Sequence, residues 1–130
     1  MTARRLAAGY FLLQGLLVGA WWALLLARPE LRRAFQVPGS PPADLLAFLP
    51  PDLVLAGGGS LAAAWLCRRG GRRARAVAWL VAGAVDYAAL YCVALWMGSG
   101  TAWAGAVLMV PAAVLSTFFA ASVDGDAPLS

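Results

Sequence analysis

Long apolar stretches alternate with short breaks rich in Gly, Pro, Ser and Arg along this chain. The first apolar stretch covers residues 6–27 and the third residues 76–97. Each is about 22 residues, enough for a helix at 1.5 Å rise per residue to cross a bilayer core of roughly 30 Å. The fourth, residues 101–122, is of similar length and carries Pro111 in its middle. The second, residues 51–67, is the shortest and contains Gly57, Gly58, Gly59 and Ser60. In water three glycines argue against a helix. In lipid the backbone closes its hydrogen bonds internally and small residues let helices approach closely, so a tightly packed helix is predicted, with a local break as the alternative. The expected fold is an all-α integral membrane protein, a compact four-helix transmembrane bundle with one long outer loop, forming a single domain over residues 1–130. A secretory signal with Val18-Gly19-Ala20 as its cleavage site is the rival for the first stretch. The apolar run continues past it to Leu26, longer than a signal core.

The breaks have their own local logic. In the loop, residues 28–50, Pro29 and Glu30 suit the first turn of a short helix, and residues 37–42 form a turn cluster. Leu45, Leu46, Phe48 and Leu49 make an apolar patch too short to span, expected to lie on the membrane surface or to enter it with the next helix. Pro50, Pro51 and Asp52 fit a helix start. Gly70 and Gly71 sit within an Arg-rich turn, and Gly98-Ser99-Gly100 is a tight turn after which Thr101 is placed to cap the fourth helix. Residues 123–130 read as an acidic, mobile tail.

Composition reinforces the membrane reading. The chain is 62% apolar with a mean hydropathy of +0.76, too apolar for a soluble domain of 130 residues to conceal. All ten basic residues are Arg, and Lys, His, Asn and Ile are absent, which fits a GC-rich bacterial coding sequence. Arg4, Arg5, Arg68, Arg69, Arg72, Arg73 and Arg75 fall on one side of a four-span topology and Arg28, Arg32 and Arg33 on the other. The positive-inside rule then puts both termini in the cytoplasm and the protein in the inner (plasma) membrane. The same topology accounts for the net charge of +4, so nucleic acid is not an expected partner; the lipid bilayer is. The cluster of Arg68, Arg69, Arg72, Arg73 and Arg75 is placed either for topology or for anionic lipid head groups.

One acid lies well inside an apolar stretch: Asp86, in the third. Its cost there is at least about 2.5 kcal/mol on insertion scales, so it is a candidate functional residue. At helical spacing its near neighbours are Ala82, Gly83 and Ala89, small residues of the kind found between packed helices. Gln14 and Ser60 fall within about a turn of it in depth, and Tyr87 borders its face. An inward polar layer of Gln14, Ser60 and Asp86 is therefore expected. Asp86 is either a proton or cation site or a hydrogen-bonded packing residue. Pro111 removes one helical N–H and marks a candidate kink. Gly15 and Gly19 form a GxxxG pair, and with Gly57, Gly58, Gly59 and Gly83 they are candidate helix-packing positions.

Other chemistries find no support. Without His there is no Ser/His/Asp set and no HExxH, and the glycine run lacks the Lys of a phosphate loop. Cys67 and Cys92 fit no metal or redox spacing. No metal, cofactor or catalytic residue is expected. In length and span count the chain resembles the small multidrug resistance transporters. That family carries a Glu in its first span where this chain has Gln14, so no residue role is carried over. The reading is a non-enzymatic packing or accessory subunit, with a membrane-protein partner, or a homo-oligomer. The alternative is a proton-coupled transporter or permeation pathway centred on Asp86.

Overall fold

The structure, a computed structural model, describes residues 2–124, and every regular element among them is helical. Helix α1 (Ala3–Ala27) is followed by a 3₁₀ segment (Pro29–Phe35). Next come α2 (Pro42–Leu46), α3 (Leu49–Pro51), a π-helical segment (Asp52–Gly58) and α4 (Gly59–Arg69). Helices α5 (Arg72–Ser99) and α6 (Trp103–Asp124) complete the described residues. The tail expected beyond residue 123 lies outside the described residues, apart from Val123 and Asp124, which end α6.

Four helical stretches are long and apolar enough to cross a membrane: Ala3–Ala27, Pro42–Arg69, Arg72–Ser99 and Trp103–Val123. The second therefore begins nine residues before the expected start at residue 51. The patch of Leu45, Leu46, Phe48 and Leu49 lies within this longer stretch and is half-buried. Phe48 packs on Tyr91 of α5 with ring centroids 4.9 Å apart. Pro41, Pro42, Pro50 and Pro51 do not prevent this, because each sits before or within a first turn, where no helical N–H is required. The glycine run is neither a plain α-helix nor a break. Gly57 and Gly58 end the π segment, whose wider turn keeps the backbone bonded internally, and Gly59 opens α4.

α1 packs on α4, α4 on α5, and α5 along much of α6, while α6 closes the ring with a smaller contact back to α1. The core is built of small side chains: Ala7, Ala8, Ala63, Ala64, Ala74, Ala78, Ala82 and Ala120, around Phe11, Cys67 and Val81. The large apolar side chains, including Leu16, Leu17, Leu80, Leu90, Val114 and Phe118, point outward. Small residues inside and large ones outside is the arrangement that lets helix backbones approach in lipid.

The candidate packing glycines divide into two groups. A Cβ on Gly15 would stand 2.8 Å from Leu61 Cδ2 and 3.0 Å from the Gly57 carbonyl oxygen, so α1 and the π segment meet there. Gly57 faces Val18, and Gly59 faces Val81 at 3.0 Å. Gly19 and Gly83 have open space where a Cβ would be, and Gly58 is exposed, next to its own helix's Leu53 carbonyl. The GxxxG pair thus uses one of its two glycines for close approach. Gly70 and Gly71, at φ of 78° and 92°, make the turn between α4 and α5, where a side chain would be strained.

At the loop end of α1, Arg32 donates from Nε to the Leu25 carbonyl at 2.8 Å. The guanidinium satisfies one of the carbonyls that a helix C-terminus leaves free and complements its dipole. At the opposite end the Arg69 guanidinium lies 3.9 Å from the Trp65 ring centroid. Thr101 donates its hydroxyl to Ser99 Oγ at 3.0 Å in the turn before α6.

Candidate functional site

Two of the three residues expected to form one polar layer do meet. Gln14 Nε2 on α1 donates to Ser60 Oγ on α4 at 3.0 Å, and both residues are buried. The third partner is not Asp86. Ser116 of α6, fully buried, donates to Gln14 Oε1 at 2.8 Å, and Tyr10, one turn before Gln14, hydrogen-bonds to the same Oε1. The Tyr10 hydroxyl also lies 2.9 Å from Ser116 Oγ and 3.0 Å from the Ala112 carbonyl. The phenol has one proton for two carbonyl acceptors, those of Gln14 and Ala112. The cluster is thus a carboxamide and three hydroxyls tying α1, α4 and α6 together, with each polar group matched to another.

Tyr10 is further fixed by stacking on Phe119 of α6, with centroids 4.6 Å apart and planes 20° off parallel. Tyr10 reads in the sequence as a boundary aromatic. The signal that places it inward is its spacing of four from Gln14, which puts both on one helix face. Ser116 has a plainer signal, a small hydroxyl three residues after Ala113 and four before Ala120, both buried.

Asp86 stands apart from this cluster, which corrects the expected layer. It is half-buried on the outward side of the α5–α6 contact. Thr117 Oγ1 lies 3.0 Å from Asp86 Oδ2 and 3.2 Å from Oδ1 and donates its one proton to the carboxyl group. A shallow groove runs beside the pair, lined by Ala89, Leu90, Val93, Val110, Ala113 and Val114. Tyr87, expected to border the site, points away from the chain at 71% exposure. Of the small neighbours, Ala82 and Ala89 are buried in the helix contact and Gly83 is exposed. Pro111 lies within α6, exposed, at the level of the groove. The Arg cluster, from Arg68 to Arg75, surrounds the α4–α5 turn, away from either polar group.

Beyond the Gln14 cluster, toward the loop end, the helices part. A cavity of about 610 Å³ lies between α1, α5 and α6 and is closed from above by the segment from Phe35 to Phe48. Its walls are apolar, from Leu17 and Trp21 on α1 to Leu95 on α5 and Met109 on α6. Trp21 and Phe35 pack edge to face at 4.5 Å and Trp22 Nε1 donates to Asp52 Oδ2 at 3.1 Å, which ties the roof and wall to α1. Cys92 lines the cavity and Cys67 lies in the small-residue core; both are free thiols. No protein-family model, no curated protein and no solved structure matches this chain.

Proposed function

We propose that the chain is a four-span, non-enzymatic protein of a bacterial plasma (inner) membrane, with both termini cytoplasmic, that works as a homo-oligomer paired through the outward α5–α6 face. The observation that carries this is the Asp86–Thr117 pair in its groove. A carboxyl group half-exposed in the apolar belt is costly against lipid and is relieved by polar partners from another chain. A two-fold interface needs one patch to supply both halves of each contact. This patch has them: the Asp86 carboxyl as acceptor, the outward Tyr87 hydroxyl as donor, Leu90 and Val114 as knobs, and the groove over Ala89 and Ala113 as the hole. The Arg distribution supports the orientation, and the four apolar helical stretches support insertion.

The alternative, a proton-coupled path centred on Asp86, also depends on pairing, since Asp86 does not line the interior cavity of its own chain. Two measurements are needed: cross-linking tests the pairing on which both readings depend, and proton flux separates them. In a background with Cys67 and Cys92 replaced by Ala, Leu90→Cys should oxidise to a disulfide-linked dimer in membranes. Leu16→Cys, equally outward but on α1, should stay monomeric. Absence of the Leu90→Cys dimer removes the homo-oligomer reading. Proton flux into liposomes that depends on Asp86 and is lost in Asp86→Asn replaces it with the transporter reading.

A further inference from the structure

We propose that the cavity at the loop end is a binding site for one neutral, single-chain amphiphile, with a long apolar tail and a hydrogen-bond-accepting oxygen at its polar end. The proposal rests on the protein being membrane-inserted, as above, but not on its pairing. The volume of about 610 Å³ falls within the usual range for small-molecule sites. At the volume of a liquid water per heavy atom it holds about twenty heavy atoms. It is elongated: its α1 wall runs from Tyr10 to Leu25, about 22 Å at helical rise. Length, volume and apolar walls together describe a chain, not a compact ring system.

The entrance faces the bilayer. Leu13 and Leu17 of α1 and Leu108 and Leu115 of α6 line the cavity while each is 45% exposed or more. These two helices share the smaller contact of the ring, so the cavity opens sideways between them. A hydrophobic molecule can therefore enter from lipid without crossing the polar roof.

The polar end is specified by what lines the roof. Gln36 lines the cavity, and its Nε2 is sealed from solvent with no hydrogen-bond partner among the described residues. A buried amide donor without an acceptor is costly, on the order of 1–3 kcal/mol, and a ligand oxygen would satisfy it. Asp44 and Asp52 also line this part of the cavity, and none of the described lining residues is basic. Two acids and no cation disfavour a phosphate or carboxylate head, and an ammonium head, a donor only, would leave Gln36 Nε2 unsatisfied, whereas an alcohol, ester or ketone oxygen accepts from it. At the other end Gln14 and Tyr10 are already bonded within their own cluster, so the tail meets a closed floor.

The test uses the full chain in phosphatidylcholine vesicles, with three diazirine-tailed probes of equal chain length: a long-chain alcohol, the corresponding fatty acid, and a phosphatidylcholine carrying that chain. Flotation comes first; a chain that does not float with the vesicles overturns the membrane reading itself. For the inserted protein, the alcohol should cross-link Leu17 and Met109 saturably, competed by unlabelled alcohol, with the acid at least several-fold weaker. Ala88→Trp, which places a large ring at a lining position, should abolish that labelling, and Gln36→Leu should weaken it several-fold while the protein still floats and melts normally. Labelling that is unsaturable, or equal across the three probes and unchanged in both variants, overturns the proposal. Saturable labelling by the phosphatidylcholine chain in preference to the alcohol overturns the assignment of a free neutral amphiphile.

Discussion

Ser116 and Thr117 are neighbours on α6 and serve different faces of it. Ser116 donates inward to Gln14 Oε1 at 2.8 Å, and Thr117 lies on the outer side against Asp86 Oδ2 at 3.0 Å. A helix turns by about 100° per residue, so one step in sequence separates an interior contact from a surface one. The two polar groups of the bundle are thus independent in geometry though adjacent in chain. Their variants should separate accordingly, with the inner group governing the stability of a single chain and the outer group its association.

The inner group sets the first expectation. Gln14→Leu leaves Ser60 without its partner and Ser116 with Tyr10 alone, and Ser60→Ala leaves Gln14 Nε2 without its acceptor. Each single variant should cost on the order of 1 kcal/mol, near the upper part of the range for hydrogen bonds between membrane helices. The double variant should cost less than the sum, because the same bond is lost in both singles. Reversible unfolding in mixed micelles measures all three; strict additivity would show that the Gln14–Ser60 contact contributes nothing.

Gly15 and Gly19 make a paired control on helix approach. A side chain at Gly15 must displace Leu61 and press on the Gly57 carbonyl, whereas Gly19 has open space. Gly15→Val should destabilise by about 1–3 kcal/mol, the usual cost of overpacking. Gly19→Val should leave the melting temperature nearly unchanged. Equal effects at the two positions would mean that the α1 contact is not set by Gly15.

The four helical stretches were legible because length and apolarity alone specify them. What pairs across the bundle was not. Gln14 and Ser60 could be matched by depth from the ends of their spans, and they do meet. Asp86 has a suitable depth and small neighbours, but depth says nothing of azimuth. Small residues occur on both edges of a helix that packs on two others: Ala82 is buried against the core and Gly83, one residue on, is exposed. Tyr10 was hidden because an aromatic near a span end has an interfacial reading that needs no partner. The cavity had no sequence signal at all, since Leu, Trp and Phe suit a lining and a lipid face equally.

The cap on α1 gives a further expectation. Arg32 donates to the Leu25 carbonyl at 2.8 Å, where the helix has no N–H left to offer. Arg32→Ala removes this bond and should cost roughly 0.5–1 kcal/mol. It should also loosen the 3₁₀ segment, raising proteolysis between Arg33 and Ser40. Arg28→Ala, whose partner Glu30 is an exposed ion pair at 3.4 Å, should do neither. Limited proteolysis in nanodiscs reads both variants, and matching sensitivity would contradict the cap.

Asp86 supplies the sharpest contrast, because its placement fixes the sign of the expected change. Were it enclosed between helices, Asp86→Leu would cost stability by removing a needed hydrogen bond. It is instead half-exposed on the outward side, bonded only to Thr117 among the described residues. Leu there loses that bond, worth on average about 0.6 kcal/mol between membrane helices, and removes a carboxyl group whose insertion costs at least about 2.5 kcal/mol. The single chain should therefore be as stable as the parent or more so. Association should move the other way, since Leu offers no acceptor to the Tyr87 hydroxyl of a second copy. Asp86→Asn keeps an acceptor and should retain pairing, and Tyr87→Phe should weaken pairing without changing the melting temperature of the monomer. The measurements are dimer fraction against protein-to-lipid ratio, by energy transfer between labelled copies, and thermal unfolding at high dilution. Asp86→Leu that unfolds the monomer would place the residue in the core after all, and Asp86→Leu that pairs as well as the parent would remove Asp86 from the interface.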